Sequence, residues 1–337
     1  MTPIDPTENY DNLVDRISES YIAGQNRAVQ AVNTSLLQTY WDIGQHIVEF
    51  EQNGKATAEY GKRLLERLSK DLNNLYGKGF SLSNIKRFRQ FYLAYQNSAT
   101  LSHQLSWSHY VELLKIDDEL ERSFYEKQSL IENWNVRELI RQKKTSLFLR
   151  LAGSQDKEGI LKLAQQGKII EQPTDLLREP YVLEFLKIPE PYHLSETDLE
   201  QRIIDNLQHF LLELGKGFAF VGRQYRIMLG NRPHRVDLVF YHRILKCFVL
   251  IDLKMSEAGY EDVGQMNMYM GYFAKEENVE DDNPPIGIIL ARHKDELLIE
   301  YATYESNSQL FVQKYQLYLP DKEELRKVLS EIPENNN

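Results

Sequence analysis

Two aspartates and a lysine stand out from their surroundings. Asp237 lies near the start of an apolar run, Val236–Tyr241, and Asp252 and Lys254 lie at the end of another, Cys247–Leu253. Both runs are rich in β-branched and aromatic residues, with a short polar-ended connection between them, the pattern of two antiparallel strands in a hairpin. Side chains alternate faces along a strand, so Asp252 and Lys254 share a side. The turn brings the start of the first strand beside the end of the second, which carries Asp237 to that pair. Charges among Leu, Val and Phe are costly unless they pair or bind a metal. One acid and one base would make an ordinary structural ion pair; a second acid at the same spot points instead to a reaction centre.

The elements around the hairpin must position it. A helix opens at Ser195 and runs through Ile203, Leu207, Phe210 and Leu214 to Gly215-Lys-Gly217; a strand follows at 218–227, then a turn at Gly230-Asn-Arg-Pro-His234. After Lys254 comes a helix over about 260–273, with Gln265 and Tyr269 four apart on one face. An acidic loop at 275–283, a short buried strand at 285–292, and a helix and final strand within 294–320 complete the order α-β-β-β-α-β. That order predicts an α/β sandwich whose mixed central sheet has a mostly antiparallel core.

Upstream the periodicity is helical throughout. Tyr10, Leu13, Val14, Ile17, Tyr21 and Ile22 recur at helical spacing, and Val29, Val32, Leu36, Leu37, Tyr40 and Trp41 continue the pattern beyond Gly24. A helix at 60–75, a Gly77–Ser81 stop and a Ser81-capped helix at 82–95 make a helix-turn-helix outline whose second helix bears Lys86, Arg87 and Arg89. Two packed helices with a solvated face would read the same way. A further pairing joins 118–131 to a helix from Val136 to about Leu151 that carries Arg137, Arg141, Lys143 and Lys144. Trp41, Trp107 and Trp134 read as core anchors. The expected organisation is α+β: an all-helical domain at 1–151, a connecting segment at 152–194, a second domain at 195–325 and a charged tail at 326–337.

The 337 residues carry a net charge of −10, which excludes a simple nucleic-acid coat. The charge is uneven, however. Residues 51–100 hold nine Lys/Arg against four Asp/Glu and residues 201–250 hold eight against three, while 251–300 hold four against twelve. Arg223, Gln224, Arg226, Arg232 and Arg235 cluster on the strand and turn leading to the hairpin and suit phosphate contacts, as do Lys86 and Arg87 on the upstream helix. Cys247 is the single cysteine, no secretory signal opens the chain and no apolar run reaches membrane-span length, so a cytoplasmic protein is expected.

Asp237 followed by Asp252-Leu-Lys254 resembles the PD-(D/E)xK nuclease superfamily, and Gln265-Met-Asn-Met-Tyr269 resembles the QxxxY element of some of its branches. The stretch from Asp198-Leu-Glu200 through Phe210 to Gln224 is similar to the bacterial YhcG family, as are Tyr40–Gly44, Tyr60-Gly61, Leu68–Leu72, Gly79–Ser81 and Trp134–Leu139. The resemblance spans about 10–325 and implies a helical domain joined to a restriction-endonuclease-like nuclease domain. Val236 stands where the superfamily's name has proline, and Asp252 where related proteins more often have Glu.

Phosphodiester hydrolysis needs an activated water and a charge to offset the leaving oxygen, both of which Mg²⁺ (or Mn²⁺) supplies through oxygen ligands. The resemblance implies Asp237, Asp252 and the Leu253 carbonyl as ligands, and Lys254 to orient or help deprotonate the water. Glu200 is the preferred outer carboxylate, with Glu213 its rival, and Gln265 contacts a phosphate or a coordinated water above Tyr269. The expected function is a Mg²⁺-dependent nuclease acting on DNA, with RNA not excluded, in processing, recombination, repair or defence. The helical domain would bind DNA, a protein partner or a second copy. The competing reading is a non-catalytic adaptor that binds nucleic acid or protein through the same fold.

Overall fold

A computed structural model describes residues 6–53, 58–97, 101–102, 104–153, 155–189, 194–294 and 309–330. The chain divides into two compact units, Met1–Arg122 with Trp134–Leu139, and Ser123–Asn133 with Ile140–Asn337.

The first unit is helical. It comprises α1 (Pro6–Asn53), α2 (Ala58–Tyr76), a single tight turn at Lys78–Phe80, α3 (Leu82–Ala94) and α4 (Trp107–Leu113), with parts of α5 (Glu119–Ile131) and α6 (Val136–Lys144). α1 runs unbroken through Gly24. The Ser81 hydroxyl caps α3 by accepting the Asn84 N–H at 3.3 Å, as expected. Ile85, Phe88 and Phe91 point into an aromatic core in which Tyr40 stacks on Phe88 at 4.5 Å and Trp107 packs against both Phe88 and Phe91. α1 and α3 touch at Gly44, where a Cβ would lie 2.1 Å from the Phe88 carbonyl oxygen.

The second unit is an α/β/α sandwich on a six-stranded sheet: β1 (Tyr181–Val182), β2 (Phe218–Leu229), β3 (Arg232–His242), β4 (Cys247–Ala258), β5 (Ile286–Lys294) and β6 (Leu310–Gln316), in spatial order β1-β6-β5-β4-β3-β2. The pairs β2–β3 and β3–β4 are antiparallel, while β4–β5, β5–β6 and β6–β1 are parallel. The sheet is therefore mixed, but its core is not mostly antiparallel. Alternation along β4 sends Val249, Ile251 and Leu253 to one face, under Leu199, Ile203, Phe210 and Leu214, and Leu250 to the other, under Val263, Met266 and Met270. The first four belong to α9 (Glu196–Asp205) and α10 (Leu207–Leu214), the others to α11 (Tyr260–Tyr272). α11 approaches β5 at Gly287, where a Cβ would meet Met266 and Met270 side chains at 2.6 Å.

Several expected boundaries move. The division between units falls before 151, since Ile140 onward lies with the second unit. The helix expected from Val136 to Leu151 breaks at Ser146, which adopts φ 53°, into α6 and α7 (Leu147–Ala152). The supposed connecting segment holds α8 (Lys157–Gln166) and supplies β1, whose Tyr181 and Val182 are fully buried beside β6. The helix after Ser195 breaks at Asn206. The charged tail begins inside α12 (Lys322–Ser330). The helix expected early in 294–320 lies outside the described residues. No described helix is long and apolar enough to cross a membrane.

Candidate active site

The site forms where two strands part. The β3–β4 ladder runs from His242 opposite Cys247 to Leu238 opposite Ile251 and stops. Beyond it, β3 stays paired with β2 as far as Arg232, and β4 stays paired with β5 as far as Ala258. In the fork the Leu253 N–H donates to Asp237 Oδ2 at 2.9 Å, so a carboxylate replaces the missing backbone partner. Burial raises the Asp237 carboxyl above the usual range; the Leu253 N–H opposes that rise and nearby Glu200 adds to it. Burial, then the charge of Asp237, push Asp252 up to about 7. Lys254 Nζ lies 3.0 Å from Asp252 and 3.2 Å from Asp262. Burial works against its charge, but the two carboxylates prevail and hold its pKa above the ordinary lysine range. The hairpin residues thus come together as the alternation of β-strands predicts.

Glu200 reaches the same place from α9. Ser195 caps that helix reciprocally: its hydroxyl accepts the Asp198 N–H at 3.1 Å, and the Asp198 carboxylate accepts the Ser195 N–H at 3.1 Å. Leu199 and Ile203 are buried in the core, and this fixes the rotation of the helix and turns Glu200 toward the fork. There the Gln224 side-chain amide donates to Glu200 Oε2 at 2.6 Å and to Asp237 Oδ1 at 3.0 Å. Gln224 was expected to face nucleic acid. Instead a positive φ of 46° on β2 directs its amide inward as a clamp between two carboxylates.

Glu213, the rival outer carboxylate, is elsewhere. It is fully buried, with Arg150 Nη1 at 2.8 Å, Arg141 Nη2 at 3.3 Å, Arg178 Nη1 at 3.9 Å and the Val182 N–H donating at 2.9 Å. Burial opposes its charge, yet the three guanidiniums, Arg150 foremost, hold its pKa below the usual carboxylate range. It is the hub of a structural ion cluster.

On α11 the Gln265 amide donates to the Tyr269 hydroxyl, and Tyr269 is buried beneath it. Two acids escaped the sequence reading. Asp262 accepts the Gly259 N–H at 2.8 Å at the start of α11 while pairing with Lys254, and Glu196 Oε1 accepts the Met255 N–H at 3.2 Å. The available signal was an acid in the first turn of each flanking helix, which reads as ordinary dipole compensation.

Among the basic residues, Arg226 and Arg235 stand directly opposite each other on β2 and β3, both exposed. Arg223 donates to Gln201 Oε1 at 2.5 Å, and Arg232 is exposed at the start of β3. Lys86 and Arg87 belong to the first unit, where Lys86 is exposed and Arg87 donates to Asn84 Oδ1 at 3.2 Å.

Among the described residues, no three His, Cys, Asp or Glu side chains close into a metal cage. The fork offers an open pair of aspartates, both raised above the usual carboxylate range chiefly by burial. An oxygen-only pair of carboxylates with open positions fits Mg²⁺, which keeps its waters and shares its coordination with substrate phosphates.

Comparison with known proteins places these features. A profile of the YhcG PDDEXK nuclease domain matches residues 174–330, and one of the DUF1016 N-terminal domain matches 16–150. The chain is 37% identical to "Putative nuclease YhcG" of Escherichia coli (strain K12) over 351 aligned positions, covering 95% of this chain and 93% of that protein. Two solved structures overlap part of it. One is a repair endonuclease from Pyrococcus abyssi (22% identity, 39% of this chain, 50% of that one, TM-score 0.27). The other is EndoMS in a complex titled EndoMS-dsDNA2 (18% identity, 40% and 50%, TM-score 0.27).

Proposed function

We propose that this chain, which belongs to the YhcG family and carries its PDDEXK nuclease domain, hydrolyses phosphodiester bonds of DNA with a divalent cation, Mg²⁺ or Mn²⁺. The observation that carries the reading is the meeting of Asp237, Asp252 and Lys254 in the strand fork, with Glu200 clamped beside them by Gln224. Asp237, Asp252 and the Leu253 carbonyl would hold the cation, which when bound activates water and offsets charge on the leaving oxygen.

The protein's own groups supply the rest. Lys254, held charged by its carboxylate neighbours, orients or helps deprotonate the water and counters phosphate charge. Asp262 holds that ammonium in place together with Asp252. Glu200 is the outer carboxylate, and Gln224 positions it. Gln265 presents its amide to a phosphate oxygen over a buried Tyr269. Arg226 and Arg235 sit as directly opposed like charges, an arrangement that is unfavourable on paired strands and that a bound phosphate relieves. Lys86 and Arg87 add phosphate contacts from the helical unit.

The test is cleavage of a panel of end-labelled DNA and RNA (duplex, single-stranded, nicked and branched) with Mg²⁺, Mn²⁺ or a chelator. Cation-dependent product on a DNA member supports the reading. No product on any member with either metal favours the non-catalytic adaptor, and product on RNA alone reassigns the substrate.

A further inference from the structure

Helix α1 is 48 residues long, yet only its second half packs on its own unit. No residue from Tyr10 to Val32 is buried; Asn33 is where the helix meets the unit, donating to the Leu105 carbonyl at 2.8 Å, and Leu37 is the first fully buried side chain. The exposed part is a helical arm roughly 35 Å long at 1.5 Å per residue. A helix of this length is marginal in water without a packed face.

The arm nevertheless carries such a face. Tyr10, Leu13, Val14, Ile17, Tyr21, Ile22, Val29, Val32 and Leu36 are between 41% and 69% exposed. At about 100° per residue they fall on one side of the helix, while Arg16, Glu19 and Arg27 fall on the other and Asp11 lies within the stripe at the same bearing as Val29. Six of its nine residues are mirrored about Ala23, while Tyr21, Leu13 and Ile22 have Gln25, Asn33 and Gly24 at the mirrored positions. Positions 10, 14, 17 and 21 are answered by 36, 32, 29 and 25 at the same intervals read backwards, with Ala23 at the centre. Gly24, next to that centre, has open space where a Cβ would stand, so two backbones can approach there.

We propose that a second copy of the chain docks on this arm, antiparallel, about a two-fold axis near Ala23. Tyr10 then meets the partner's Leu36, Val14 meets the partner's Val32, and Ile17 meets the partner's Val29. At the centre Tyr21 meets the partner's Gln25, the same two groups that already share a hydrogen bond of 3.0 Å within one chain. A closed two-fold contact is self-complementary, and a mirrored stripe is the sequence pattern that meets this requirement; an unrelated partner would impose no such symmetry. Nine large apolar side chains from each copy bury on the order of 1,200–1,600 Å² in all, within the range of a stable interface. The charge within the stripe between Tyr10 and Leu36 is the carboxylate of Asp11, so nucleic acid is not its occupant.

The test is sedimentation equilibrium of the full chain over a wide concentration range. The expected result is a dimer of twice 39.6 kDa, and an Ile17→Asp/Val29→Asp variant whose association is weaker by roughly a hundredfold or more, because charges are placed in an apolar seam. Orientation is read from mild oxidation, for which the native Cys247 is buried. Ile17→Cys/Val29→Cys should link two chains, and Ile17→Cys alone should not. A wild type that is monomeric at every concentration overturns the proposal. So does a dimer untouched by the aspartates, or efficient linking by the single cysteine, which marks a parallel pair.

Discussion

At the level of single residues, the site is a place where charges are held against their preference. The Asp252 carboxyl titrates near 7 in the fold and near 4 in the unfolded chain, so folding favours its protonated form. A carboxyl raised in this way loses stability as pH rises through that window. In chelator, melting temperature should therefore fall by a few degrees between about pH 5 and pH 8, a divalent cation should restore it at pH 8, and Asp252→Asn should remove the trend. Melts that do not depend on pH would show that burial and the charge of Asp237 do not raise the Asp252 carboxyl. Gln224 gives a second prediction. Gln224→Ala frees Glu200 and should lower cleavage about tenfold with little loss of stability. Gln224→Glu adds a third carboxylate and should destabilise the cation-free protein more than the cation-loaded one, which differential melting detects. The three hairpin groups were legible because the two-residue period of a strand decides which side chains share a face. Gln224 was not, because a single left-handed residue on β2 reverses where its side chain points, and no residue type signals that.

Elements fail or hold through contacts between distant segments. Glu213 ties α10 to Arg141, Arg150, Arg178 and the N–H of Val182, a buried cluster whose loss costs roughly 3–5 kcal/mol. Glu213→Gln should lower the melting temperature by on the order of 10 °C while the residual folded protein still cleaves. Glu200→Gln should do the reverse, with cleavage down about a hundredfold and melting nearly unchanged. The opposite ranking would exchange their roles. Because the guanidiniums depress the Glu213 pKa, its contribution is present above the ordinary carboxylate range and is lost as pH falls below about 4. The sequence showed both acids on one helical stretch but not which was a hub, since the three arginines come from other segments that only the fold assembles. Likewise β1 is two residues long, too short for any periodicity, and its place is set by pairing with β6. The long helices and the hairpin were readable for the converse reason: their patterns repeat locally.

For the whole molecule, the question is how a chain of net charge −10 would engage the proposed polyanionic substrate. Its cations are local. On α3 Arg89 is occupied by Glu51 at 2.7 Å, whereas Lys86 is exposed. Lys86→Ala should weaken DNA binding by the full chain and reduce the slope of log affinity against log salt by roughly one, while Arg89→Ala leaves the slope unchanged; fluorescence anisotropy at several salt concentrations measures both. Equal slopes for all three proteins would remove α3 from the nucleic-acid surface. The strand fork is the proposed reaction centre. Its most direct test is the single-turnover cleavage rate of wild type beside Asp237→Ala, on the best substrate of the panel with saturating Mg²⁺. Both proteins must first be shown to be folded by coincident far-UV spectra. A rate reduced by about a thousandfold or more is the result the fork predicts; cleavage by Asp237→Ala at the wild-type rate would contradict it.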